Sequence, residues 1–432
     1  MICLAFLLPA CQPSGNATFG VVSPEPVPAS LSPEPSLALT QPPTETATPS
    51  PSPTVTSTAT PTVNPTPIAM PRLRIAYGDM DGLWFAEPPA PPVQLVANTF
   101  MFEISFSDDG SRIIYYSKVD PLPVFHDIGV IFINADGNPI LRPSVPIGSL
   151  EYYGGEEGWV SDSVWIPGTH RLLFSTYGPG GQNGFFYSDD LFVLDADSGS
   201  VSRIYGTGAG GMASPSPDGK TMVVSDCGTI FLASVLGRVL FRDLIPLENK
   251  ERGKCFSPQV FWAADSSRFA ILEESASDGA SIWSVDAASG AAAKLENIPD
   301  YYYGALSPDL NYIGYTINKE TVSSDATISK VDGAGAILLV KGKSYFRTFS
   351  PDGRHFDYWA HDTAYIGSLD GSTIPIQGLI LCWINNSQFI FIKDDTLYLG
   401  DVGGNVILIA KGNNGMQPVA AIDVDFKNNH EK

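Results

Sequence analysis

The chain has 432 residues, and its 46 Asp plus Glu against 25 Lys plus Arg give a formal charge of −21. Such a charge repels phosphate backbones and offers no basic stripe, which excludes nucleic acid as an expected partner. Aromatic residues at 11%, 41 glycines and a charged fraction of only 16% fit strands and turns better than a helical bundle.

The chain opens MICLAFLLPACQPSGN, an apolar run from Ile2 to Ala10 that ends at Cys11. It is too short to span a bilayer as a helix, which needs about 20 apolar residues. It resembles the end of a bacterial lipoprotein signal, in which a Leu, two small residues and a Cys form the cleavage and lipidation site; here these are Leu8, Pro9, Ala10 and Cys11. Pro9 departs from the usual small residue, and no Lys or Arg precedes the run, so the true start is expected upstream of Met1. The resemblance implies a signal over residues 1–11, lipidation at Cys11, and an exported protein anchored on the outer face of the bacterial cell membrane. An ordinary secretion signal, or an apolar N-terminus with no processing, is the alternative.

Residues 12–71 are nearly all Pro, Ser, Thr and Ala, as in PPTETATPSPSPTVTSTATPTVNPTPIAMP. Such a segment has too little to bury to offset the entropy of ordering it, and it is expected to be an extended, disordered stalk. At up to about 3 Å per residue it would hold a domain on the order of 100 Å from an anchor. A stalk directly after a lipidated Cys is what a displayed domain needs.

From residue 72 one pattern returns. SFSDDGSRIIYYS at 105–117, SPSPDGKTMVVSD at 214–226 and TFSPDGRHFDYWA at 348–360 each read as strand, turn, strand. In Ser-Pro-Asp-Gly, Pro presets φ for the first turn position, Asp bonds the backbone, and Gly takes the φ > 0 position that closes the hairpin. Copies fall at Asp109, Gly168, Asp218, Asp265, Asp309 and Asp352, with a degenerate one at Asn386, at intervals shrinking from 59 to 34 residues. Each is followed by a third strand, as in DLFVLDADSG or AYIGSLDG, and a fourth, as in VSRIY or VILIA. Self-similarity at this period is the signature of four-stranded propeller blades.

Strand, S-P-D-G, a strand rich in aromatics, then a strand ending near D-x-x-G resembles the TolB-like, WD40-like repeats of bacterial β-propellers. The resemblance covers residues 72–426 and implies an all-β propeller of four-stranded antiparallel blades. Pro is lost at Asp108 and Ala264, and Gly at Leu310. Residues 73–96 supply the second to fourth strands of a blade, and 417–426 a first strand, so the two termini are expected to share one blade and close the ring. That makes eight blades; seven is the alternative if the unit at 378–410 or the terminal strand does not form. Residues 427–432 are a polar tail.

In such a meander the loops between second and third strands and the connections between blades share one face. Cys227 and Cys255 both fall there, so a disulfide between them is geometrically sensible in an oxidising envelope, two separate thiols being the alternative. Cys382 reads as a small core hydrophobe. The same face carries the longest insertions and places Tyr152, Tyr153, Trp159, Phe185, Phe186 and Tyr187 on one rim with Glu156, Glu157, Asp189 and Asp190. Tyr301, Tyr302 and Tyr303 stand farther around it. Exposed aromatics in Gly-rich loops bring large contact area at small entropic cost and suit recognition of a protein, peptide or glycan; rings packed under their own loops are the alternative.

Of five His, His126 and His361 each precede an Asp in second-to-third-strand loops, and His with carboxylate can ligate a metal. Some TolB-like propellers are lyases using metal and His near the axis. Neither G-x-S-x-G nor H-E-x-x-H occurs. Asp79-Met80-Asp81-Gly82 reads as a strand-connecting turn, its spacing failing as a calcium loop after Gly82. The expectation is therefore a monomeric, non-catalytic binding propeller with no cofactor, touching the membrane only through its lipid. A metal-assisted polysaccharide lyase or hydrolase using His126 and His361 at the channel mouth is the alternative.

Overall fold

The computed structural model describes residues 72–97, 101–117, 127–134, 136–146, 159–177, 190–206, 209–226, 228–247, 258–275, 279–298, 301–319, 323–332, 335–412 and 419–426. They form eight antiparallel sheets arranged as the blades of an all-β propeller. Inner strands are Met101–Phe106 in blade two, Trp159–Trp165 in three, Met212–Pro215 in four and Gln259–Trp262 in five. Tyr301–Leu306, Ser344–Phe349 and Leu379–Trp383 follow in blades six to eight. Blade one takes its inner strand, Val419–Asp423, from the far end of the chain; it pairs antiparallel with Leu73–Asp79, Leu73 opposite Asp423 and Tyr77 opposite Val419. The shared closing blade and the count of eight are as expected. The degenerate unit forms a full blade, its hairpin closed where Gln388 N–H and Ser387 N–H both donate to Asn385 Oδ1.

Eight apolar clusters, one between each pair of neighbouring blades, make the core. The closing strand shows why its sequence, VAAID, reads as a continuous run rather than an alternation. Val419 and Ala421 pack with Leu381, Ile390 and Leu399 of blade eight, while Ala420 and Ile422 pack with Ile104 and Phe106 of blade two. Side chains alternate between faces, but both faces are covered.

The repeated turn is a lock at the hairpin face. The hydroxyls of Ser107, Ser216, Ser307 and Ser350 donate to the carboxylates of Asp109, Asp218, Asp309 and Asp352 at 2.5–2.7 Å. Each Ser oxygen also accepts the backbone N–H five residues on, at 2.9–3.1 Å. Gly110, Gly219 and Gly353 follow at φ 66°, 66° and 71°, the left-handed residue after a type I turn. Leu310 and Ser266 hold that position without glycine, at 57° and 61°. Neighbouring hairpins are also tied together: Arg74 Nη1 donates to Gly110 O, Gly168 N to Asp108 Oδ2, Asp218 N to Ser266 Oγ, and Arg268 Nη2 to Asp309 O.

Candidate functional site

Inner strands enter the ring from the loop face, so their first residues stand at the channel mouth. Trp159 and Tyr301–Tyr303 prove to be the opening residues of inner strands rather than loop residues. Tyr301 is half-buried against the cluster between blades five and six. Tyr303 is 38% exposed. Tyr152, Tyr153, Phe185, Phe186 and Tyr187 lie outside the described residues, as do Cys11, Cys227, Cys255 and His126. Asp190 is buried, accepting hydrogen bonds from Thr176 N and Oγ1, so it pins its own blade rather than facing a partner. Cys382 is buried in the inner strand of blade eight, as expected of a core residue, but it is disulfide-bonded and so more than the small hydrophobe its sequence context suggests. Asp79 Oδ1 accepts from Asp81 N, Gly82 N and Trp84 Nε1, the plain turn read from its spacing. His361 and Asp362 are the two left-handed residues of the hairpin turn between the second and third strands of blade seven, exposed at the loop face.

Two polar stations occupy the channel ends of the inner strands, on opposite arcs of the ring by blade order. The first spans blades six to eight. Among the described residues the exposed aliphatic side chains stand on outer strands and turns, whereas the exposed aromatics, Tyr303 and Tyr345 (45%), both stand on inner strands, those of blades six and seven. Arg347 lies two residues beyond Tyr345 and crosses to blade eight, its Nη1 donating to Ile380 O. Its Nε is 3.5 Å from Asp357 Oδ2 on the second strand of blade seven, and Trp383 Nε1 donates to Asp357 Oδ1 at 3.1 Å. Asp357 is 1% exposed and its Oδ2 accepts no hydrogen bond. Burial raises its pKa, with Arg347 and Trp383 opposing. The Tyr303 phenol lies close enough that the charges of both Arg347 and Asp357 act on it.

The second station lies between blades two and three. Glu103 accepts a hydrogen bond from Ser163 Oγ at 3.0 Å, and two residues along, Trp165 Nε1 donates to Ser105 Oγ at 3.0 Å. Burial, with help from Asp162, pushes the Glu103 carboxyl up to about 7 against the Ser163 hydrogen bond. The Tyr116 hydroxyl is buried beside these groups without completing a hydrogen bond. Glu103, Asp162 and Tyr303 stand at one repeat position, four residues before the turn Ser or its equivalent, so aligning the copies could have found both stations.

On the hairpin face of the same two blades, His170 is held between two carboxylates, Nδ1 2.9 Å from Asp197 Oδ2 and Nε2 3.1 Å from Asp109 Oδ2. Ser111 Oγ is 3.1 Å from His170 Nε2, giving the Ser-His-Asp connectivity of a hydrolase triad. The chemistry is wrong for one. Ser111 already donates to Asp109 Oδ2 at 2.6 Å, and hydrogen bonds to Asp197 and Asp109 outweigh burial and raise the imidazole pKa, so the ring donates rather than accepts. Among the described residues no group of three or more His, Cys, Asp or Glu side chains is placed to hold a metal ion.

No protein-family model matches the chain, and no curated protein matches it. Solved structures do. One described as the eukaryotic initiation factor aligns at TM-score 0.50 with 8% identity over 82% of this chain and 98% of its own. A prolyl endopeptidase aligns at 0.49 with 12% identity, over 74% of this chain and 51% of its own, so this chain spans about half of that enzyme. The β-propeller domain of the Trilobed protease from Pyrococcus furiosus aligns at 0.40 with 16% identity, over 59% and 84%. At these identities the likeness concerns the fold: the chain is an eight-bladed all-β propeller.

Proposed function

We propose that the protein is a cell-envelope-anchored, non-catalytic propeller of the TolB-like kind that presents its loop face to a protein, peptide or glycan. Cys11 carries the lipid, residues 12–71 act as spacer, and the channel mouth beside Tyr303, Tyr345 and Arg347 forms the contact surface. The observation that carries the reading is the segregation of exposed side chains: aromatic rings at the channel mouth, aliphatic ones on the outer strands and turns. Rings with one polar end and an Arg two residues beyond one of them suit a ligand that offers both faces to stack on and groups to hydrogen-bond.

The test is binding of candidate peptides and glycans, on an array and then by calorimetry, to the whole protein and to Tyr303→Ala with Tyr345→Ala. Both side chains are exposed, so the fold should keep its melting temperature while affinity falls at least about tenfold. Unchanged affinity for every ligand found would sink the reading. Glu103 beside Asp162 favours a second one, polysaccharide cleavage with a protonated carboxyl as general acid. New reducing ends or unsaturated uronates released from a polysaccharide, and lost in Glu103→Gln, would install it in place of the first.

A further inference from the structure

We propose that the seam between blades two and three is a proton-closed joint: protons on Glu103 at its channel end and on His170 at its hairpin end hold the two blades together, and losing them loosens the seam. The inference adds a regulation to the loop face and does not depend on what that face binds.

The geometry comes first. At the hairpin end, His170 belongs to blade three and Asp109 to blade two, and their contact at 3.1 Å crosses the seam. Arg112 of blade two crosses it in the other direction, its Nε and Nη2 2.8 and 2.7 Å from Asp197 Oδ1 in the turn before the outer strand of blade three. Asp108 accepts from Gly168 N at 3.1 Å, and Arg171 lies 3.5 Å from Asp195. The charged groups facing His170 are thus Asp109, Asp197 and Arg112, with Asp108, Arg171 and Asp195 next around. If His170 is neutral, one ring nitrogen loses its proton and with it the charge-assisted hydrogen bond to its carboxylate; at Nε2 the Ser111 hydroxyl, 3.1 Å away, can donate in its place but does not cross to Asp197. At the channel end, the groups facing Glu103 are Ser163 and Asp162 of blade three and Tyr116 of its own blade. If Glu103 ionises, its partly buried carboxylate faces Asp162, and among the described residues the Ser163 hydroxyl is the donor that holds it.

The signs agree. The folded pKa of His170 lies above the unfolded value of 6.5, so its contribution is complete below that value and is lost as pH rises through the folded pKa. Glu103 lies at about 7 against 4.5 unfolded, so its destabilising effect grows from pH 4.5 and is complete above 7. Asp109 and Asp197 are lowered, because their hydrogen bonds outweigh burial, and fail only in acid as pH falls through their folded values. Both ends therefore loosen with rising pH, the reverse of the familiar His switch that opens on acidification.

Amide hydrogen exchange on the full chain tests this, taking the hairpin at 307–312 as an internal reference because among the described residues no His or cross-blade carboxylate pair holds it. After correction for intrinsic rates, exchange at 107–112 and 166–171 relative to that reference should rise about tenfold between about pH 5.5 and about pH 8.5. His170→Gln should show the raised ratio already at the lower pH, and Glu103→Gln should flatten the pH dependence down to the part owed to His170. A ratio constant across pH, or unchanged by His170→Gln, overturns the proposal. If His170→Gln does not fold, an NMR titration of the wild-type imidazole decides: a pKa above 6.5 supports the joint, and one at or below it overturns it.

Discussion

The two faces of the ring are built on opposite principles. At the hairpin face one hydrogen-bonding motif, a Ser oxygen closing on an Asp and on a backbone N–H, recurs in blades two, four, six and seven with distances that differ by a few tenths of an ångström. At the channel ends the described charged and polar side chains differ from blade to blade. Blade two has Glu103, blade seven has Arg347 over Asp357, and blade six has Tyr303, each with partners of its own. A repeat protein uses sameness where blades must stack and difference where something must be done.

The largest way to break that contrast is at Asp357. Replacing it with Ala leaves Arg347 partly buried against blade eight with its carboxyl partner gone, at a cost of about 3 kcal/mol. Asp357→Asn keeps the acceptor for Trp383 Nε1 and should cost less than half as much. Urea midpoints of the two variants check the order; equal losses would mean that shape rather than charge matters at this station. Next comes the hairpin lock. Ser350→Ala removes the acceptor for His355 N–H and a donor to Asp352 in a site with no exposure, a loss of about 2 kcal/mol. Ser216→Ala and Ser307→Ala should cost the same within about 0.5 kcal/mol, because the lock is one device repeated. Unequal losses would show that the sameness of this face is only geometric.

The hairpin face was legible because its physics is local. Ser-x-Asp-Gly specifies a turn whatever surrounds it, and its recurrence gave the blades, their order and the closure from both termini. The channel stations depend on contacts between strands of different blades, such as Glu103 with Ser163 or Asp357 with Trp383, which no local pattern encodes. A trace of them is nonetheless present once the copies are aligned. Seven residues past the turn Ser or its equivalent stand Ile114, Leu173, Val223, Ala270 and Gly314, and in blade seven Asp357. A carboxylate where every other copy carries an apolar residue or glycine is a departure the repeats do not need. Reading Tyr301 and Trp159 as loop residues had a simpler cause: PDYYYG and GGEEGWV look like turn sequences, and only pairing with the next strand shows where the inner strand starts.

Glu103→Gln sharpens the comparison from the other side, since here a channel residue works against stability. The amide keeps an acceptor for Ser163 but cannot ionise. Below pH 4.5 the wild type is protonated in both states and the variant should match it; by pH 8 the wild type holds an ionised, partly buried carboxylate and the variant should be more stable by roughly 2 kcal/mol. Melting curves at the two pH values read this directly. A gain that is the same at both would assign the effect to packing rather than to the proton.

The smallest effect lies where the hairpin face breaks its own rule. Leu310 sits at φ 57° where blades two, four and seven have glycine, a conformation that costs an L-residue roughly 1–2 kcal/mol. Its side chain is 5% exposed in the cluster between blades five and six, beside Ala263, Leu306 and Ile313. Burying a Leu is worth about 2–3 kcal/mol. Leu310→Gly should therefore relieve the backbone, empty part of the cluster, and lose about 1 kcal/mol net. Leu310→Ala keeps the strain and loses most of the burial, so it should be the less stable of the two, an inversion of the usual ranking of Ala over Gly. If Ala is instead the more stable, the left-handed turn costs this blade little, and the Gly of the other copies is a preference of the turn rather than a requirement of the ring.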